Sequence, residues 1–81
     1  MSNYITLNDI APGEMAKIKS INICGSMKRR LLDIGLIEDT ITECVGKSPM
    51  GDPKAFLIRG AVIAIRSDDS MKILVEKVSR L

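Results

Sequence analysis

The stretch Ser26-Met27-Lys28-Arg29-Arg30-Leu31-Leu32-Asp33-Ile34-Gly35-Leu36 decides how this chain folds. Met27, Leu31 and Ile34 stand at i, i+4 and i+7, so a helix over these residues carries one apolar stripe. Lys28 and Arg29 fall away from it. Ser26 is the kind of residue that caps a helix N-terminus through its hydroxyl, and Gly25 before it lets the chain turn. Gly35 stands where a helix closes on a left-handed residue, and Leu36 can then fold back onto the last turn. A helix of about two to three turns is marginal alone in water, so strands on either side must hold it.

The flanking sequence supplies them. Upstream, Thr6-Leu7-Asn8-Asp9-Ile10 reads as one helical turn capped by Thr6, and Ala11-Pro12-Gly13-Glu14 as a turn. Residues 15–21 alternate Ala16 and Ile18 with Lys17 and Lys19, which predicts a strand with one buried and one wet face. Downstream, residues 40–45 are rich in β-branched types and form a second strand. Residues 46–54 hold Gly46, Pro49, Gly51 and Pro53 and read as the main loop. Residues 55–59 and 61–66 are strands joined at Gly60, as a tight hairpin or a sharp bend. Residues 67–70 make a cap-like turn, and residues 72–78 the last strand.

Five short antiparallel strands and one short helix inserted between the first two make a mainly β chain. Closing into a small SH3-like barrel removes the exposed sheet edges that otherwise invite aggregation. The expected core is Ile18, Leu31, Ile34, Ile41, Val45, Leu57, Ile63, Ile65, Ile73 and Val75.

Composition narrows the function. Eighty-one residues make one domain, 1–81, with 46% apolar residues and a single small core. Net charge is +2, with acids and bases interleaved, which gives little pull toward nucleic acid or anionic membrane. Lys28-Arg29-Arg30 could reach only a few phosphates, and Tyr4 and Phe56, the only aromatics, make no stacking platform for bases and no groove for Pro-rich peptides. No apolar run is long enough to span a membrane, and Met1-Ser2-Asn3-Tyr4 lacks the pattern of a signal peptide, so a cytoplasmic protein is expected. Cys24 and Cys44 read as free, buried thiols.

The chain has no His. That removes the usual general base, the Ser-His-Asp and Cys-His arrangements, and the commonest transition-metal ligand. No Walker-type phosphate loop and no zinc spacing of cysteines is present, and Asp68-Asp69 reads as a solvated cap. The inventory therefore predicts a binding module, with no catalytic residues, no metal ligands and no cofactor. The basic cluster on the helix is its strongest charge feature and reads either as a solvated helix face or as a match for an anionic surface on another protein.

At this point the chain resembles a known family. Arg29-Arg30-Leu31-Leu32-Asp33-Ile34-Gly35-Leu36 is similar to the "RRL-x-D-(L/I)-G-(L/I)" helix of the FeoA family, the ferrous iron transport A proteins. Leu7-Asn8-Asp9-Ile10-Ala11-Pro12-Gly13 resembles that family's opening turn. Ser48-Pro49-Met50-Gly51-Asp52-Pro53 resembles its P-x-G-D-P loop, and Gly60 to Arg66 its strand ending in Ala-Leu-Arg, with Ile65 in place of Leu. Ser70-Met71 replaces a more Ala-rich turn. The resemblance runs from Leu7 to Val78. It implies an SH3-like barrel with a helical insertion, and a small cytoplasmic accessory of FeoB, the membrane protein that carries Fe²⁺ and has a cytoplasmic GTP-binding domain. The alternative is a stand-alone SH3-like interaction module, related to the C-terminal domain of iron-dependent repressors, with another protein partner. On either reading the expected partner surface is Lys28, Arg29 and Arg30 with the loop residues Pro49, Asp52 and Pro53. Arg30 could equally bury its stem and pair with Asp33 or Asp52.

Overall fold

The structure is a computed structural model that describes residues 5–79; Tyr4 and the Met1–Tyr4 reading lie outside the described residues. Six strands form one antiparallel sheet in the order β1-β6-β2-β3-β4-β5. They are β1 (Ile5–Thr6), β2 (Met15–Ile21), β3 (Ile41–Lys47), β4 (Lys54–Ile58), β5 (Ala61–Ile65) and β6 (Ile73–Val78). Helix α1 (Ser26–Asp33) lies between β2 and β3, and a single helical turn, α2 (Ser67–Ser70), between β5 and β6. This is an SH3-like arrangement: a β2–β5 meander, one helical turn, and β6 returning to pair with β2. The architecture is the expected one in class, but the sheet is not closed. The additional strand β1 pairs with β6 and forms one edge, and β5 forms the other.

The insertion point of α1 follows from where β2 leaves β3. The two pair only through Met15–Lys17, after which the Ile18 N–H donates to the Thr40 carbonyl at 2.9 Å and the Asp39 N–H to the Ile18 carbonyl at 2.7 Å. Ser20 and Ile21 then pair with β6 alone, past a register shift. The chain is thus released from one strand while held by another, and the helix fills the gap. Met27 and Ile34 pack partly buried against the core and Leu31 is fully buried in it, as the stripe predicts.

The helix ends are local chemistry. At the C-terminus Gly35 takes φ 95°, its N–H donates to the Leu32 carbonyl at 3.0 Å, and the Leu36 N–H reaches the Leu31 carbonyl at 2.9 Å. This is a Schellman closure, and its apolar pair, Leu31 and Leu36, is fully buried. The N-terminus departs from the expectation. Gly25, not Ser26, is the cap, at φ 82° and ψ −154°, a conformation that only glycine adopts without cost, and Ser26 is the first helical residue.

The core holds Leu7, Ile10, Ala16, Ile18, Ile23, Leu31, Leu36, Cys44, Phe56, Ile58, Ile63, Ile65, Ile73 and Val75. Three expectations are corrected. Ile41 and Val45 face outward, 39% and 44% exposed, while Thr42 and Cys44 point inward. Side chains alternate along a strand, so the error is a shift of one residue that flips every one of them. Glu43, between Ile41 and Val45, marks that face as the outer one, and the buried Thr42 hydroxyl is satisfied by donating to the Leu57 carbonyl at 2.9 Å. On β4 the inward residues are Phe56 and Ile58, and Leu57 is only partly buried on the other face. Cys44 is buried but Cys24 is exposed, because buried Ile23 takes the inward place in that connection.

The loops are tied by polar contacts. The Asp9 carboxylate accepts from the Thr6 N–H at 3.0 Å, closing the 3₁₀ turn Leu7–Asp9. The Lys54 ammonium donates to the carbonyls of Asn8 and Ile10 at 2.6 and 3.0 Å and pins that turn to β4. Buried Ser70, where the family resemblance shows a departure, shares its hydroxyl with Asn8 Oδ1 at 3.3 Å and the Ser67 carbonyl at 3.4 Å. Gly46, expected to start the loop, instead lies within β3, where the register to β4 shifts between Cys44 and Gly46, as at a bulge. The Lys77 ammonium, 2.7 Å from Glu14, and the Ala11 N–H hold the Glu14 carboxyl below its ordinary range.

Candidate partner-binding surface

Helix α1 presents Lys28, Arg29 and Arg30 to solvent, all exposed. Arg30 forms an ion pair with neither Asp33 nor Asp52; the ion pairs at the nearby strand ends go elsewhere, as in Lys19–Asp39 at 3.6 Å. Leu32 lies four residues from Lys28 and three from Arg29, so the three share one side of the helix. It is 47% exposed, and Ile37, just past the helix, is 49% exposed. The exterior of α1 is therefore basic with an apolar centre. The reading of the charges alone missed Leu32. Its offset from the Met27–Leu31–Ile34 stripe was the available signal.

The position of α1 is set from the β4–β5 hairpin. Arg59 and Gly60 form a two-residue turn with φ 48° and 86°, between the paired residues Ile58 and Ala61. From this turn the Arg59 Nε–H donates to the Gly35 carbonyl at 3.0 Å, and the Thr40 hydroxyl reaches the same oxygen at 3.3 Å. The helix C-terminus is thereby fastened to one end of β3 and β4.

The loop of residues 48–53 lies at the other end. Lys47 pairs with Lys54 across its base, whereas Thr42 pairs with Ile58 beside the hairpin. The two ends of β4 are separated by about 13 Å along the strand at the usual rise per residue. The loop and the C-terminal end of α1 thus lie toward opposite ends of β4. Pro49 is exposed and Pro53 half-buried, and Met50 at the tip is 91% exposed.

Asp52 is engaged inside the fold. Its Oδ1 accepts from the Ser67 N–H at 2.8 Å, Oδ2 lies 3.4 Å from the Ser67 hydroxyl, and its carbonyl accepts from the Ser48 hydroxyl at 2.7 Å. The side chain thus holds the first turn of α2 against the loop. Asp52→Ala is expected to lower stability by about 1 kcal/mol, seen as a drop of about 5 °C in the thermal midpoint. An unchanged midpoint would show that this tie is not made in solution.

No cavity was found among the described residues, no group of three or more His, Cys, Asp or Glu gathers there, and no helix is long and apolar enough to cross a membrane. What the geometry defines is a small SH3-like β domain that presents one capped, basic helix on its exterior. A model of the FeoA domain matches residues 5–77, and the chain belongs to the FeoA family. An FeoA-like protein from Clostridium acetobutylicum, solved by NMR, is 31% identical and covers 100% of this chain and 94% of its own, with a TM-score of 0.83. An Fe(2+) transport protein A/Fe(2+) transporter FeoB fusion protein from Porphyromonas gingivalis is 27% identical over 73 residues, which are 90% of this chain and only 9% of that protein. The fold alone is shared with a manganese-dependent transcriptional repressor solved with manganese, 18% identical over 96% of this chain and 38% of its own, TM-score 0.79.

Proposed function

We propose that this chain is a non-catalytic cytoplasmic accessory of ferrous iron uptake that acts by contact between its α1 exterior and the cytoplasmic side of an FeoB-type transporter. The Porphyromonas gingivalis relative carries the reading: there a domain similar to this one is joined in a single polypeptide to an FeoB transporter, which keeps the two together. The α1 surface supports it with Lys28 and Arg29 beside the exposed Leu32, a pattern that suits an acidic protein surface with an apolar centre. Pro49 and Pro53 form a separate second contact in this reading, while Asp52 serves to shape their loop.

The experiment is an amide NMR titration of the isotope-labelled chain with the cytoplasmic domain of FeoB from the same source. Shifts on residues 28–37 and on the loop residues 49–53 are expected, and the Arg29→Glu variant is expected to keep its fold and bind about tenfold more weakly, a loss typical of reversing one interfacial charge. Normal binding by that variant would remove the helix from the interface. Absence of binding, with and without a GTP analogue, would favour a partner outside iron transport.

A further inference from the structure

A second free surface lies at the edge of the sheet. β5 pairs with β4 on one side only, from Lys54↔Ile65 to Ile58↔Ala61. A two-residue turn makes its flanking pair, Ile58 and Ala61, a hydrogen-bonded one. The alternation of an antiparallel ladder then turns the N–H and C=O groups of Val62 and Ala64 to the open side. No backbone group among the described residues meets them there. Edge strands are ordinarily blunted by shortness, charge, proline or a bulge. The opposite edge, β1, has two residues among those described. β5 is Ala-Val-Ile-Ala-Ile, with no charge, no proline and an unbroken register. Val62 is 65% exposed and Ala64 is exposed beside it.

We propose that β5 is a self-association edge, to which a second copy of this chain adds its own β5 antiparallel about a twofold axis at Ile63. In that register Val62 of one copy lies opposite Ala64 of the other, and each such pair exchanges both backbone bonds. Charge selects this arrangement. Antiparallel addition carries the exposed Arg59 end of one copy to the Ser67–Asp68 end of the other, where Asp68 is exposed. Arg66 then lies opposite Gly60 with Arg59 the next residue along, so Asp68 stands close to both arginines. Parallel addition would instead set Arg59 beside Arg59. The edge is short, so the interface falls below the about 1,200–2,000 Å² of stable complexes, and the dimer is a weak one. It makes no use of α1 and stands apart from the transporter reading.

Sedimentation velocity and amide NMR of the whole chain, from about 10 μM to 1 mM, cover the affinity range of such a contact. The expected result is a monomer–dimer equilibrium in which the amides of Val62 and Ala64 shift and gain protection from exchange as concentration rises. Ala64→Pro removes an outward N–H at a position where a strand edge tolerates proline, and should weaken the dimer about tenfold or more through the two bonds lost per dimer. Asp68→Lys, an exposed change that leaves β5 intact, should also weaken it, and the loss should shrink in high salt. A monomer throughout the range, shifts confined to other residues, or a dimer indifferent to both variants would overturn the proposal. Binding of β5 only to a strand from another protein would also overturn it.

Discussion

Gly35→Val is expected to destabilise the fold by about 3 kcal/mol, because strain and collision coincide at one atom. Gly35 sits at φ 95°, a conformation in which a β-branched residue is strongly disfavoured. A Cβ there would also meet the Arg59 side chain, its Cδ closest and its Nε at 2.9 Å. Relief requires Arg59 to swing away, which breaks its bond to the Gly35 carbonyl and frees the helix end from the hairpin. For a domain of this size the loss corresponds to a fall of about 15 °C in the thermal midpoint. A cycle with Gly35→Ala and Arg59→Ala separates the two causes. The glycine substitution should cost less once the arginine is truncated, and the remaining cost is the backbone strain. A Gly35→Val protein with an unchanged midpoint would show that the Schellman closure is not the native helix end.

Phe56→Ala is the other large expected loss, about 3–5 kcal/mol. Phe56 is the chain's one phenylalanine and is fully buried. It lies on β4 directly between Cys44 of β3 and Ile63 of β5, both inward-facing, so its ring is central to the inner layer of three strands. Its neighbours belong to fixed ladders and cannot close the cavity by collapse. Set against the about 5–15 kcal/mol of a typical domain, the loss is a large fraction of the total stability. Urea unfolding followed by far-UV circular dichroism reads it as a large drop in midpoint. Phe56→Leu should recover most of the difference, since it restores most of the volume. A small effect would mean that the ring is not packed as described.

These two positions show how unevenly the fold could be read. The requirement at Gly35 was visible in the order Ile34-Gly35-Leu36 after an apolar stripe. Its collision with Arg59 was not, because Arg59 arrives from a hairpin 24 residues later. The importance of Phe56 was hidden by a strand in which Ala55, Phe56, Leu57 and Ile58 are all apolar, so alternation could not say which pair faces inward. On β3 the same ambiguity put Ile41 and Val45 inside, although Glu43 between them pointed the other way.

The candidate surface divides along the same line. Lys28 and Arg29 are exposed because they stand away from a local stripe, and stripe and charges are both written in consecutive residues. Asp52 drew attention by its place in a Gly- and Pro-rich loop, yet its carboxylate is occupied by Ser67, a partner only the folded chain brings near. The unpaired edge at β5 was equally out of sight, since whether a strand is central or terminal depends on every other pairing in the sheet.

The residues alone thus settle what is decided over a helical turn or a two-residue bend: α1 and its C-terminal closure, a sharp change of direction at Gly60, the family, and the lack of histidine chemistry. Those choices depend on periodicity, φ preference and side-chain type, which act between near neighbours. The inward face of β3 and β4, the open sheet, the bracing of α1 by Arg59 and the separation of the loop from the helix end belong to the tertiary structure. They depend on which distant segments compete for the same hydrogen bonds and the same core volume, and that competition is resolved only when the whole chain packs.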